Sequence, residues 1–462
     1  MSDHPGPGGG LFGAVLARGR VAGAVSDRAW LQAILDVEAA IAAAEARAGL
    51  LSEVDAAAIA AACHADRFDV AKLGEEAAAS GNPVVPLVRA LTGAVEGPAA
   101  GWVHHGATSQ DVLDSAAMLV ARRALDLLLD DLAAAADWAA ALAAAHRGTL
   151  MAGRTLLQQA LPVTFGLKAA GWLAGLDEAA ARLEAVRATR LAVQFGGAAG
   201  TLASLGDKGL VVSGHLAAAL GLAEPVLPWH TNRMRLAELA GALGAAAGAV
   251  AKPARDVVLL AQTEVAEVRE GTPGRGGSST LPHKRNPVAA VCTLACAEQA
   301  AGLVATLLGA MPQEHERAAG AWHAEWRPLA ELLTATGSAV AWLRDCLEHL
   351  EVDAARMRAN LDASGGLLLA ERVTGALAPT LGRLQAHELV EAAAAEAISG
   401  SRSLAAVLLD RPEVRDLLDQ RRVTALLDPT QYLGSAGAFI DRALAAHRGG
   451  QHERPGRGSP SG

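Results

Sequence analysis

Between Pro273 and Val288 the chain reads PGRGGSSTLPHKRNPV, so that a glycine-rich segment delivers two serines, a lysine and an asparagine in quick succession. Gly274, Gly276 and Gly277 permit backbone angles closed to other residues and leave peptide N–H groups open. Pro282 and Pro287 keep the segment from collapsing into helix. Such a loop can close over an anion, with Lys284, Arg285 and Asn286 supplying the positive charge and donors that a developing oxyanion needs. A flexible polar linker is the plainer alternative. It fits less well, because the segment interrupts long helical patterns on both sides and carries prolines and paired cations that a linker does not need.

Other chemically suggestive patterns lead nowhere. Gly271 to Ser278 has glycines at Walker-like spacing, but Gly277 stands where a phosphate-binding lysine is required. Gly196-Gly197-Ala198-Ala199-Gly200 lacks the preceding strand of a dinucleotide site and reads as a turn between helices. His315-Glu316 begins like a zinc protease motif, yet Ala319 occupies the place of the second histidine. Cys292 and Cys296 share a helix face, but no further ligand has suitable spacing, so core packing is expected and no metal. The four cysteines are too few and scattered for a disulfide framework and are expected to be reduced.

The elements that must position the loop are helical. Apolar residues make up 52 % of the 462 and aromatics only 3 %, the excess being Ala and Leu, which cost least in a helix. No apolar run reaches the ~18 uncharged residues of a membrane span, and MSDHPGPGGG lacks an export signal, so a cytoplasmic protein without membrane contact is expected. The net charge of −9 and the absence of a basic patch argue against nucleic acid. An anionic substrate stays compatible, since a few cations focused in a cleft set the local potential.

Residues 1–10 and 448–462 are expected to be disordered. Ser26 caps a helix on which Trp30, Ile34, Val37 and Ile41 recur at helical spacing, opening an N-terminal helical domain over 11–105. Apolar residues then run at helical period from Asp111 to Ala145, Pro162 to Val193, Arg233 to Val268 and Val288 to Leu308. These belong to a central bundle domain over 106–365, since long helices bury their faces only in a bundle. Shorter helices with Pro379, Pro412 and Pro429 as breaks form a small C-terminal domain over 366–447. The fold class is all-α, and alanine-rich faces on several sides suggest that several chains pack together.

The loop GGSSTLPHKRNP is similar to the GSSxMPxKxNP signature of the fumarase/aspartase superfamily, with Leu281 in place of the usual Met. His104 to Asp111, HHGATSQD, resembles the family's second segment, and Gly153-Arg154-Thr155 through Thr164-Phe165-Gly166 its third. Within the superfamily, GATSQD, GNPVVPLV at Gly81 to Val88, PWHTNR at Pro228 to Arg233 and HERAAGAWHAEW at His315 to Trp326 look most like the 3-carboxy-cis,cis-muconate cycloisomerases. The resemblance implies three helical domains, a homotetramer with each active site built from three chains, and no cofactor.

It also implies roles. Ser278 matches the family's catalytic serine, which can act as a base only if loop N–H groups and a cation stabilise its oxyanion. Lys284 is that cation or holds the enediolate, and Ser279 shapes the loop. Thr108 and Ser109 match carboxylate-binding positions, with Arg154, Gln158, Arg285, Asn286 and Arg317 as further substrate-binding candidates. His104 matches a histidine of the adenylosuccinate lyase branch and is a catalytic candidate; His105 and His283 rank behind it.

The departures are informative. Lyases of the adenylosuccinate and argininosuccinate type carry histidine where this chain has Leu156, and Asn82 replaces a second histidine. An amine or purine leaving group needs a general acid, whereas a carboxylate, with a pKa of roughly 4, departs unaided. With these departures, the resemblance implies closure of 3-carboxy-cis,cis-muconate, a tricarboxylate, to a carboxymuconolactone through an enediolate, in the protocatechuate branch of the β-ketoadipate pathway of aromatic catabolism. A lyase releasing fumarate from a succinylated compound, or a catalytically silent structural member, are the alternatives.

Overall fold

The computed structural model describes residues 10–277 and 280–452. About 69 % of the chain is helical, as the Ala- and Leu-rich composition requires. The first long helix, labelled α1, spans Asp27–Arg47. Ser26 Oγ accepts the Ala29 N–H at 3.3 Å, which satisfies one of the helix's free donors. Ile34, Val37 and Ile41 are buried along it, and so, against composition rules, are Glu38 and Glu45. Val84–Ala94 forms α2.

Four long helices follow the periodicity with shifted ends. The first, α3, runs Ser109–Ala145. The stretch expected from Pro162 becomes helix only at Phe165, because Leu150–Thr155 (β1) pairs antiparallel with Gln158–Thr164 (β2). Pro162 is tolerated there, since a two-stranded ladder consists of edges. Phe165–Thr189 is α4 and Met234–Leu260 is α5. The latter stops well before Val268, where Val268–Glu270 (β3) pairs with Leu350–Val352 (β4). Val288–Gly309 is α6 and Ala321–Glu348 is α7; α5 and α7 continue through Pro253 and Pro328.

The chain divides into two compact units. The first takes the described residues of Met1–Ala135, Glu178–Ala254 and Ala289–Asp345; the second, those of Ala136–Asp177, Arg255–Val288 and Cys346–Gly462. Within the second, Ala370–Leu381 (α8) and Arg383–Ser399 (α9) pack around Val373, Leu377, Val390, Leu404, Val407 and Val423. Pro379 lies inside α8, so it is not the break expected of it. Pro412 and Pro429 do begin new turns of helix, where a missing N–H costs nothing.

Both α5 and α6 are long and apolar enough to cross a membrane by length and composition, a match that the count of uncharged runs did not bring out. The apolar windows are 50 % and 39 % buried within the chain. Glu238, Lys252, Arg255 and Asp256 punctuate α5, which fits a packed helix better than a span.

The last helix, α10, runs Ala436–His452 and so enters the stretch 448–452 that composition assigned to a disordered tail. His447 explains why. Its Nδ1 lies 3.0 Å from Asp177 and its Nε2 3.0 Å from Asp137, and the bonds to Asp137 and Asp177 push its pKa up to about 9. The folded value lies above the unfolded ~6.5, so the stabilisation is complete below that pH and is lost as pH rises through about 9. His447→Gln is expected to lower Tm by on the order of 2–4 °C near pH 6.5, with the gap to wild type closing by pH 10. A gap of constant size across that range, read by circular dichroism, would contradict this role.

Candidate active site

Asp111, in the first turn of α3, is fully buried and accepts four hydrogen bonds: from the N–H groups of Thr108 (3.0 Å), Gly196 (3.0 Å) and Gly197 (2.8 Å), and from His230 Nε2 (2.7 Å). The run Gly196 to Gly200 is thus a turn whose first two amides wrap a carboxylate of the protein itself. Gly196 is required, since a Cβ there would lie 2.8 Å from Pro228 and 2.9 Å from His230. One turn further along α3, buried Asp114 takes two bonds from Arg233, at 2.7 and 3.0 Å, and one from Trp322 Nε1 at 3.1 Å. Arg233 also holds Glu325 at 2.6 Å. Burial opposes the charge on Arg233, but Asp114 and Glu325 outweigh it and hold the guanidinium above its ordinary pKa. Burial in turn raises the Glu325 carboxyl.

Arg317 is attached to this frame differently. Its Nη1 donates to Thr108 Oγ1 at 3.0 Å, its Nη2 to the Ala198 carbonyl at 3.0 Å and its Nε to Gln110 Oε1 at 3.3 Å. Gln110 is held by Asp114 and the His230 carbonyl. All three acceptors of Arg317 are neutral, and among the described residues it has no ion pair. A half-buried guanidinium without a counter-charge, fixed beside a hydroxyl and the N-terminus of α3 that Ser109 opens, is suited to an anion. The same unit places His104 Nδ1 2.7 Å from Glu38 and His105 Nδ1 2.7 Å from Glu45. Burial alone would lower the His104 pKa, but the bond to Glu38 and the charges of Glu38 and Asp111 together outweigh it, and the net shift is upward. Non-glycine residues with left-handed φ gather here: His104 (62°), Leu202 (50°) and His315 (45°). Strain of this kind persists where the surroundings over-determine it, and it clusters at functional sites.

The other candidates belong to the second unit. Arg154 is bidentate to fully buried Glu267, at 2.9 and 2.7 Å, and Asn360 Nδ2 donates to the same carboxylate at 2.9 Å. The Arg154 charge is therefore already neutralised, a partner that the sequence reading did not anticipate. Gln158 is exposed at the start of β2 and pairs with Thr155. The intervening turn is Leu156-Leu157, with φ of 51° and 66° and exposures of 97 % and 73 %.

The glycine-rich loop is pinned at its base. Gly277 bridges Arg285, and the Gly276 carbonyl accepts both the backbone N–H (2.8 Å) and Nδ2 (3.2 Å) of Asn286. Asn286 thus closes the loop through the amide assigned to substrate. Ser278 and Ser279 lie outside the described residues. Lys284 and Arg285 are exposed and carry no ion pair among the described residues, and His283 is exposed beside them. In the first unit, Asn82 Oδ1 caps α2 by accepting from Val84 and Val85 at 3.1 and 3.3 Å. Cys292 and Cys296 are buried, and no group of metal-binding residues occurs among the described residues.

Residues 16–302 match a family described as lyase, and residues 366–443 match the adenylosuccinate lyase C-terminus. The chain belongs to the fumarase/aspartase superfamily. It is similar to a 3-carboxy-cis,cis-muconate cycloisomerase of Bradyrhizobium diazoefficiens, 50 % identical over 94 % of this chain and 97 % of that one. A nitrosuccinate lyase of Streptomyces davaonensis is 47 % identical over 94 % of each. Among solved structures, a 3-carboxy-cis,cis-muconate lactonizing enzyme from Pseudomonas putida superposes with a TM-score of 0.90 at 45 % identity, covering 95 % of this chain and 99 % of that one. Within this superfamily chain, Asp111, Arg233, Glu267, Glu38 and Glu45 are the residues that sequence reasoning left unassigned. The Asp of GATSQD and the Arg of PWHTNR stand inside recognised motifs without a role attached, and the three glutamates belong to no motif at all.

The pinned loop base yields a test. Gly276 has φ of 78°, and a Cβ there would sit 2.4 Å from the Asn286 carbonyl oxygen. Gly276→Ala is expected to lower turnover at least tenfold while Tm falls by less than about 3 °C, because the clash is confined to one loop. Unchanged turnover would mean that the pinned base is dispensable.

Proposed function

We propose that this chain is a 3-carboxy-cis,cis-muconate cycloisomerase. Its substrate is a trianion, and each unit offers groups suited to an anion: Arg317 on Thr108 and the α3 N-terminus at Ser109 in the first, Lys284 and Arg285 on the glycine-rich loop in the second. In lactone closure one substrate carboxylate adds to a carbon of the diene. The displaced electron pair collects as an enediolate on the neighbouring carboxylate, and a proton then reaches the carbon next to it. Lys284 and loop N–H groups are suited to hold that enediolate, and Ser278 is the first candidate to carry the proton. The step calls only for cations, donors and one proton carrier.

The observation that carries this reading is the state of the two positions where histidine-dependent lyases hold their acids. Leu156 stands bare at a hairpin tip, and Asn82 uses its side chain as a helix cap. A site lacking those imidazoles is suited to a group that departs as a stable anion. The substrate's own carboxylate is such a group. The 50 % identical relative supports the same substrate. Nitrite also leaves as a stable anion, and the similarity to a nitrosuccinate lyase makes nitrite elimination the second reading. We further propose a cytoplasmic homotetramer with active sites shared between chains; the apolar α6, with only 39 % of its window buried, supports association.

Purified protein is expected to bleach 3-carboxymuconate absorbance, with Ser278→Ala about a hundredfold or more slower and Ser279→Ala affected less. It is also expected to release no fumarate from adenylosuccinate or argininosuccinate. Fumarate release at ordinary enzymatic rates would replace the cycloisomerase with a lyase, and nitrite release from nitrosuccinate without lactone formation would favour the second reading.

A further inference from the structure

Glu38 and Glu45 lie seven residues apart on α1, two turns along one face. Their side chains are 1 % and 0 % exposed. Each uses Oε1 to meet one of two consecutive histidines at 2.7 Å, and each leaves Oε2 without a hydrogen-bond partner among the described residues. Adjacent side chains of an extended segment point apart, and the left-handed turn at His104 (φ 62°) changes the course of the chain between the two rings, both of which engage α1. Trp102 packs edge-on to the His105 ring with centroids 4.7 Å apart. Neither Nε2 has a partner among the described residues, and the imidazole side chains are 18 % and 33 % exposed.

The charge balance of such a pair is restrictive. A buried carboxylate with one bond and one bare oxygen is strongly disfavoured beside a neutral ring, which leaves the pair with a net negative charge. One added proton removes that charge, whether it rests on the carboxyl or on Nδ1. In both of those arrangements the other ring nitrogen, Nε2, carries a hydrogen. A net-neutral Glu–His pair therefore offers an N–H donor, and a net-negative pair offers a lone pair that repels anions. The loop bearing these rings continues within three residues to Thr108, where Arg317 is anchored.

We propose that Glu38 and Glu45 are positioning residues that keep His104 and His105 protonated at Nε2, so that the two rings donate to a carboxylate of the substrate beside Arg317. The assignment rests on the carboxylate-substrate reading above and leaves proton transfer to the loop serine. The other groups facing the pairs are Asp111, which favours the charged His104 ring, and Cys63, a thiol that burial and the nearby carboxylates push up to about 12. Burial also raises the Glu45 carboxyl, against the pull of His105. Cys63 stays neutral at working pH, and Asp111 is already satisfied by its four donors, so neither supplies the proton.

Glu38→Gln and Glu45→Gln test this. A glutamine amide does not hold the extra proton, so above the ring's ordinary value of about 6.5 each ring is a neutral imidazole with one hydrogen, which sits on Nδ1 wherever the amide carbonyl faces it, and Nε2 protonation falls. At pH 7.5 KM is expected to rise about tenfold or more in each variant with kcat changed less than about threefold, and the KM gap should close below pH 6. Glu38→Asp, which can still hold a proton, should recover part of the loss. Tricarballylate binding measured by calorimetry should weaken by the same factor. Imidazole 15N spectra of the ligand-free protein at pH 7.5 should show Nε2 protonation at both rings, reduced at one ring in each glutamine variant. A KM deficit independent of pH, a kcat loss equal to the KM change, or spectra unchanged by the substitutions would each overturn the proposal. Should the native chain fail to convert 3-carboxymuconate, the cycloisomerase reading fails by itself, and the spectra and tricarballylate titrations still decide the role of the two glutamates.

Discussion

Two aspartates one turn apart on α3 are buried, and that fact constrains the whole first unit. An ionised carboxylate taken out of water must recover its solvation from hydrogen bonds and counter-charge, or the helix cannot pack. Asp111 recovers it from three backbone N–H groups and His230. Asp114 recovers it from Arg233 and Trp322, and Arg233 brings Glu325 with it. These bonds fix four segments distant in sequence, near residues 108, 196, 230 and 325. Substrate affinity follows only afterwards, from groups that this frame holds still.

Cations in the molecule therefore fall into two kinds. Arg154 and Arg233 are neutralised by buried carboxylates, and replacing their partners would strand a charge. Arg317, Lys284 and Arg285 have no such partner among the described residues. Arg317 nevertheless has a fixed orientation, because neutral acceptors hold all three of its donor groups. A guanidinium oriented without being neutralised is preorganised for an incoming anion and loses little entropy on binding it.

Much of this was legible in the sequence. Helical period gave the long helices, since α3 and α6 start and stop within a few residues of where their apolar patterns do. Period alone did not reveal β1 and β2, because Pro162 and its apolar neighbours continue into α4 without a break in pattern, and the turn between them is Leu-Leu where Asn-Gly would be the readable signal. In the candidate site the glycine-rich loop stands out by residue type alone, whereas Thr108 and Arg317 become candidates only through the family resemblance. The site was not legible where function depends on a pairing distant in sequence. Glu38 and His104 are 66 residues apart, and Arg154 and Glu267 are 113 apart; neither pairing leaves a local trace.

The central claim is that the chain closes a lactone with its substrate's own carboxylate as the nucleophile. Proton NMR of 3-carboxymuconate incubated with the protein in D2O tests it most directly. The account predicts a carboxymuconolactone with one deuteron at the carbon beside the carboxylate, and no fumarate signal. Unchanged 3-carboxymuconate alongside turnover of nitrosuccinate or a succinylated amine would contradict it.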